Sequence, residues 1–233
     1  MPHQENVTFE SDDLKLAGVV HIPDGLKPGE RRPAFLVLHG FGSNKASNSA
    51  VVPCELLTAM GYVTMRFDMR GCGESEGEFG RIICLEQVDD TKAAHRFLAG
   101  RPGVDPDRVG ALGSSFGAAV AVYTAGVHDK IAAVVSSGGW GDGERKFRGQ
   151  HADPKAWAKF TAMLDEGRHH RERTGESLMV PRYDIVPIPP HLRTNLAQNS
   201  IEMFPAETAQ SMFDFKADKV VANIAPRPLL LFA

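Results

Sequence analysis

Apolar residues occur along this chain in short continuous runs, and longer segments with helical spacing separate the runs. Two predicted strands at residues 7–10 and 14–22 come first, and the run AFLVL at 34–38 follows a charged, turn-rich loop. Pro33 and Gly40 bound this run, and its residues do not alternate between apolar and polar. Such a run is typical of a strand that is buried on both faces of a sheet.

The same pattern repeats further along the chain. Helical spacing predicts helices over residues 45–60 and 82–98, with Pro53 expected to interrupt the first or to start a second segment. Further strands are predicted at 62–67, 109–112 and 131–135. Alternating strands and helices imply parallel strands with right-handed crossovers. We therefore expect an α/β fold with a mostly parallel sheet and helices on both faces.

The sequence Gly113-Ser114-Ser115-Phe116-Gly117 joins a predicted strand to a small-residue helix. Glycines on either side of a G-x-S-x-G turn let the strand and the helix approach closely, and the central residue takes a strained backbone geometry. Ser115 would then project its hydroxyl clear of the sheet as a candidate nucleophile. The alternative is a tight strand–helix joint that happens to carry a solvent-facing serine.

Four loops follow predicted parallel strands and should meet at one edge of the sheet. They comprise residues 39–44, residues 68–75, the turn at Ser115 and residues 136–140. Reactive groups of such sheets lie at the carboxyl ends of the strands. We therefore expect the functional site at this edge.

Residues 140–216 break the alternation and are interpreted as an inserted lid over that edge. Asp153 is a plausible helix N-cap with Pro154 at the first helical position. The segment 178–193 contains four prolines and is expected to lack regular structure, whereas residues 206–215 resemble a short helix. Residues 228–232, PLLLF, are predicted to be a further buried strand.

Composition limits the classes of function. The chain has 233 residues, 42% hydrophobic and 24% charged, with a net charge of -3. These values fit one sizeable globular core and argue against a nucleic-acid-binding protein. No apolar run is long enough for a membrane span or a signal peptide. Three widely spaced cysteines form no metal-ligand cluster, so we expect a cytoplasmic protein without a bound metal.

The chain resembles an α/β-hydrolase. The resemblance rests on four motifs: LVLHGFGSN (36–44), RFDMRGCGES (66–75), VGALGSSFGAAVA (109–121) and PRPLLLFA (226–233). It is greatest to the branch with dienelactone-hydrolase-like, feruloyl-esterase-like and dipeptidyl-peptidase-like enzymes. The resemblance implies an α/β-hydrolase core over residues 1–139, an inserted helical lid over 140–216 and a core strand within 217–233.

The resemblance also implies roles for individual residues. Ser115 matches the nucleophile, and the backbone N–H groups of Phe41 and Phe116 match the two donors of an oxyanion hole. No cofactor or metal is implied, and the substrate-binding residues are not identified. The expected partner is a small-molecule ester or amide, without nucleic acid or membrane, and a homodimer is left open.

One departure from the family pattern concerns the remaining catalytic residues. The family order is Ser, then Asp or Glu, then His, and the last two follow the strand matched by PLLLF. We therefore expect a C-terminally truncated chain that lacks the last strand, its helices and two triad residues, and is inactive as given. Asp184 and His191 follow in the right order but are less favoured substitutes, and His39 is expected to brace a loop or contact substrate.

The leading hypothesis is a serine hydrolase, carboxylesterase-like, that cleaves an ester, thioester or amide through an acyl-enzyme on Ser115. A non-catalytic hydrolase-like binding protein is the alternative from another class. A carbon–carbon bond hydrolase or a peptidase on the same fold also remains open, because fold does not determine substrate.

Overall fold

The computed structural model describes residues 3–195 and 200–232, so residues 1–2, residue 233 and part of the predicted lid, 196–199, lie outside the described residues. The strands within the described residues are β1 (His3–Ser11), β2 (Leu14–Ile22), β3 (Arg32–Leu38), β4 (Val63–Phe67), β5 (Val104–Ser114), β6 (Val134–Ser137), β7 (Met179–Pro181), β8 (Met203–Pro205) and β9 (Leu229–Phe232).

Seven strands form the main sheet in the order β1-β2-β4-β3-β5-β6-β9. β1, β2 and β4 pair antiparallel, whereas β4, β3, β5, β6 and β9 all run parallel. The predicted mostly parallel sheet is therefore confirmed, with an antiparallel hairpin at one edge.

The helices follow the sequence prediction closely in the first half of the chain. They are α1 (Asn48–Ala59), α2 (Cys84–Ala99), α3 (Phe116–Val127), α4 (Gly143–Gln150), α5 (Pro154–Thr174), α6 (Arg182–Ile185) and α7 (Ala206–Asp214). Short 3-10 turns occupy Pro190–Asn195, Ala217–Lys219 and Val221–Ile224. Within the described residues, no helix has the length and apolar character needed to cross a bilayer.

Helices cover both faces of the sheet because side chains of a strand alternate between its faces. On β3, Val37 packs with Ala50 and Cys54 of α1. Leu36 and Leu38, one residue to either side, belong instead to the large core that also contains buried residues of α2 and α3. This sandwich fixes the carboxyl ends of β3, β5 and β6 beside one another.

The expectation that Pro53 interrupts the first helix is wrong, because α1 continues through it. A proline inside a helix lacks one backbone donor. Ala50, Cys54 and Thr58 are buried on both sides of the proline, and this packing compensates for the missing hydrogen bond.

The expectation that residues 178–193 lack regular structure is also wrong. β7 pairs antiparallel with β8 in a separate two-stranded sheet, and α6 follows at once. Pro181 and Pro205 lie at the ends of this three-residue ladder, where a missing donor is tolerated.

The predicted strand at 228–232 exists as β9, which pairs parallel with β6 at the sheet edge, but it is not buried. Leu230, Leu231 and Phe232 are 51%, 64% and 55% exposed. The continuous apolar run correctly predicts a strand, whereas burial depends on what packs against both of its faces.

His21 and His95 are two of the buried histidines that make the stability of the fold dependent on pH. Burial lowers the pKa of His21 from 6.5 to about 4, helped by the charge of Arg66, which donates to His21 at 3.0 Å. Burial likewise lowers the pKa of His95 to about 4, together with the neighbouring His128 ring. Below pH 6.5 the unfolded chain therefore binds protons that the folded chain does not, and stability falls.

We expect the free energy of unfolding to decrease as the pH falls from 6.5 towards 4, by up to ~1.4 kcal/mol per pH unit for each of the two histidines. Urea titrations at pH 7, 6 and 5 measure this slope. His95→Gln should reduce it. An unchanged slope in His95→Gln would contradict the assignment.

Candidate functional site

Ser115 lies between the end of β5 and the first residue of α3, in a backbone conformation that few residues adopt. Its φ of 53° and ψ of -113° lie in a region that is unfavourable for a residue with a Cβ. The Ser115 N–H donates to the Ser137 carbonyl at 2.8 Å, and the Ser115 carbonyl accepts from Ala118 at 3.1 Å. These bonds hold the strained turn, and the side chain of Ser115 is exposed.

The glycines of the Ser115 turn (residues 113–117) are required by close backbone contacts. A Cβ on Gly113 would lie 2.2 Å from the carbonyl oxygen of Gly117, and a Cβ on Gly117 would lie 2.5 Å from that of His39. No side chain fits at either position. The contacts bring the start of α3 directly against the loop that follows β3.

That loop, residues 39–44, is called the Phe41 loop below. A Cβ built on Gly40 would lie 3.9 Å from the Cβ of Ser115, so the loop passes beside the serine. Among the described residues, no carbonyl accepts from the N–H of Phe41. Phe116 is the first residue of α3, and the N–H groups of a first helical turn have no partner within the helix. The aromatic rings of the two residues are 6.0 Å apart.

His39 is buried beneath the Phe41 loop and braces it. Its Nδ1 contacts the Gly40 carbonyl oxygen at 2.9 Å, and its Nε2 accepts from the Met69 N–H at 3.3 Å. Both ring nitrogens are therefore occupied, and burial lowers the pKa of the imidazole. Of the two roles expected for His39, the loop-bracing one is confirmed.

Charged residues of the 68–75 loop form structural ion pairs. Asp68 is buried, and it accepts from the Lys45 backbone and from Lys45 Nζ, both at 2.6 Å. Arg70 binds Asp90 through Nε at 2.8 Å and Nη2 at 2.7 Å. These carboxylates hold the loops next to the Ser115 turn in place.

Asp184 and His191, the two less favoured substitutes for the catalytic acid and base, do not pair with each other. Asp184 on α6 pairs with Lys159 at 2.6 Å, and His191 is exposed on the turn at Pro190–Asn195. Within residues 3–195 and 200–232, no histidine hydrogen-bonds the Ser115 hydroxyl. The described part of the chain thus places the Phe41 loop beside an exposed serine, without a base in contact, and the oxyanion-donor roles of the Phe41 and Phe116 N–H groups stay a prediction.

The segment predicted to be a lid, called the lid below, contacts the Phe41 loop through residues that sequence reasoning missed. Arg182, at the start of α6, donates to the carbonyl oxygens of Phe41, Gly42 and Ile201. The ring of Phe204 stacks on that of Phe41 at 4.4 Å. A single arginine within a proline-rich segment gives no sequence signal for this contact, because its partners are backbone atoms.

Apolar residues of the predicted lid could form its own core or contact a substrate. Phe160, Phe204 and Met212 are buried, so they belong to the core of the lid. A cavity of about 350 Å³ lies beside the carboxyl end of β6, and one of its walls is Trp140, whose ring is 5.9 Å from that of Phe116.

The division of the chain into core and lid at 139, 216 and 217 stays a prediction.

Comparison with known proteins places the chain among hydrolase-like sequences. The family model for X-Pro dipeptidyl-peptidase (S15 family) matches residues 12–201. The quorum-quenching protein AidA of Acinetobacter baumannii is 30% identical over 139 residues, covering 59% of this chain and 44% of that protein. The 2,6-dihydropseudooxynicotine hydrolase of Paenarthrobacter nicotinovorans is 25% identical over 240 residues, covering 100% and 64%. The chain spans about half the length of the curated relatives it matches.

Solved structures show the same fold. The hypothetical protein PA2218 from Pseudomonas aeruginosa has a TM-score of 0.82 at 22% identity and covers 99% of this chain and 77% of its own. Est1E from Butyrivibrio proteoclasticus with bound ferulic acid has a TM-score of 0.65 at 18% identity, with coverage of 97% and 77%. The expected α/β-hydrolase fold is therefore confirmed.

We expect Gly117→Ala to destabilise the protein by ~1–3 kcal/mol or more, because the new methyl group would collide with two carbonyl oxygens, those of His39 and Leu38, at 2.5 and 2.7 Å. Urea unfolding measures the loss. Gly149→Ala is the matched control, because that helical glycine has nothing within 4 Å of the added Cβ and should gain ~0.5–1 kcal/mol. Equal stability of Gly117→Ala and the parent would show that the turn has room for a side chain.

Proposed function

This chain belongs to the X-Pro dipeptidyl-peptidase (S15) family, and on that basis we propose that it is a serine hydrolase that cleaves a carboxylic ester, thioester or amide through an acyl-enzyme on Ser115. The observation that carries the proposal is the Ser115 turn. A strained, exposed serine follows a parallel strand, and the backbone N–H groups proposed as its oxyanion donors, those of Phe41 and Phe116, donate to no loop or turn carbonyl among the described residues.

In the proposed reaction the Ser115 oxygen attacks the substrate carbonyl, and its proton passes to a base. The oxygen that becomes negative is stabilised by the N–H groups of Phe41 and Phe116. Collapse of this intermediate expels the alcohol, thiol or amine, which receives the proton, and leaves the acyl group on Ser115. Water then releases the acid. Loss of one such donor typically costs roughly 3–4 kcal/mol of barrier.

A serine hydroxyl needs a base to act as a nucleophile at neutral pH. His39 is unsuited, since both of its ring nitrogens are occupied inside the core. We propose that the catalytic acid and histidine are supplied by residues of the natural protein other than those of this chain. The 233-residue chain alone would then show little activity.

Two other functions compete with this proposal. A non-catalytic binding protein would need no base, but it would also have no need for a strained serine. Carbon–carbon bond cleavage or peptidase activity would use the same nucleophile and donors. The names of the relatives cover peptidases and hydrolases, and an esterase with bound ferulic acid shares the fold, so these names support the reaction class more than a substrate.

We expect the full natural protein that contains this chain to hydrolyse at least one ester of a panel with p-nitrophenyl acetate and butyrate. A fluorophosphonate probe should label it at Ser115, which mass spectrometry of the labelled peptide locates. Ser115→Ala should abolish labelling and lower turnover by roughly 10³-fold or more, because the donors alone leave only residual catalysis.

Ser114→Ala, one residue earlier in the same turn, is the matched control and should retain both activities. The 233-residue chain, tested beside it, should show little of either. Full ester turnover by the isolated chain would place the base within it, and an inactive, unlabelled natural protein would favour the binding function.

A further inference from the structure

Arg182 is buried where the lid meets the core, and its position is unusual for a charged side chain. It is 5% exposed, and its guanidinium reaches two carbonyl oxygens of the Phe41 loop and one of the lid. Nη2 donates to Phe41, while Nη1 donates to Gly42 at 3.3 Å and to Ile201 at 2.9 Å. The guanidinium also lies 5.3 Å from the centre of the Phe41 ring.

Among the described residues, no carboxylate pairs with this guanidinium, and its Nε has no hydrogen-bond partner. Burial of a charge without a counter-ion is unfavourable. Arg70 shows the ordinary arrangement, since it is similarly buried but binds Asp90 at 2.7 Å. Only backbone carbonyls and one aromatic face compensate the buried charge of Arg182. A contribution to stability alone therefore does not account for this side chain.

The guanidinium holds the two peptides that directly follow the Phe41 N–H in the chain, those with the carbonyl groups of Phe41 and Gly42. Its two terminal nitrogens hold successive carbonyls, of Phe41 and Gly42, and Ile201 donates its own N–H to Gly42 at 2.9 Å. On the other side, His39 fixes Gly40. The Phe41 loop is thus held from the core side by an imidazole and from the lid side by a guanidinium.

We propose that Arg182 is a positioning residue, whose planar fork holds the Phe41 loop so that the Phe41 N–H serves as an oxyanion donor. This inference rests on the proposed function of Ser115. Arg182 does not touch the substrate. It acts through the geometry of its two donors, which a lysine ammonium cannot reproduce.

We expect Arg182→Lys and Arg182→Met to lower kcat for ester hydrolysis by about 100-fold in the full natural protein, with KM within about threefold of the parent. Misplacing a catalytic group by about 1 Å, or losing one oxyanion donor, has effects of this size. The rate of fluorophosphonate labelling at Ser115 should fall in parallel, because the phosphonyl oxygen would occupy the same position.

Arg227→Lys is the matched control. Arg227 also binds backbone carbonyls, including those of Ala125 at 2.8 Å and Ile131 at 2.8 Å, but it does so at the far end of α3 from Ser115. It should lower the melting temperature and leave kcat unchanged. A kcat loss of the same size in Arg227→Lys, or an unchanged kcat in both Arg182 variants, would overturn the proposal. Recovery of parental kcat in Arg182→Lys would show that charge acts, rather than the fork, and would also overturn it.

Hydrogen exchange provides a measurement that does not depend on turnover. Segments 41–46 and 200–203 should exchange faster in Arg182→Met and at the parental rate in Arg227→Lys. If the parent and Ser115→Ala have the same activity, the proposed function fails, and exchange alone then decides whether Arg182 holds the loop. Parental exchange rates in Arg182→Met would show that it does not.

If the Arg182 variants do not fold, Gly42→Ala tests the same contact with Arg182 in place. The added Cβ would lie 2.9 Å from Arg182 Nη1 and 2.4 Å from the Phe204 ring, and the position has a φ of +54°. We expect it to lower kcat with little change in KM. A parental kcat in this variant would contradict the requirement for an undisturbed loop.

Discussion

The close approach of α3 to the loop after β3 is the contact on which the site depends. It exists because Gly117 has no Cβ, so the carbonyl oxygens of His39 and Leu38 can lie against the helix backbone. The same contact forces the chain through the strained conformation of Ser115 and brings the Phe41 loop beside it. One steric condition therefore brings an exposed hydroxyl and the Phe41 loop next to each other.

The sequence predicts much of this part of the molecule. Continuous apolar runs indicate β3, β4 and β5, and the G-x-S-x-G motif locates the strand–helix turn, because both depend on local patterns. β6 is displaced, with residues 131–135 predicted and Val134–Ser137 observed, since its extent is set by pairing with Ala111 to Ser114. The register between two strands depends on residues far apart in the sequence, so the residues of β6 alone do not predict it.

Sequence patterns predict the structure of residues 140–216 less well. The prolines of this segment suggest irregular structure, yet β7 and β8 pair with each other, because prolines occupy only the ends of the ladder. Arg182 contacts Phe41 over a separation of 141 residues, and the acceptors are carbonyl groups that every residue possesses. A motif search finds residue types, and it cannot find a side chain whose partners are the backbone.

The guanidinium that joins the lid to the Phe41 loop also has a consequence for protein engineering. An exchange of the predicted lid segment between relatives would replace the residues that contact the Phe41 loop. Here the exchange would also remove one of the supports of the core loop unless the new lid restores an equivalent fork. Arg182, Ile201 and the Phe41 loop should therefore be transplanted together, as one inseparable module.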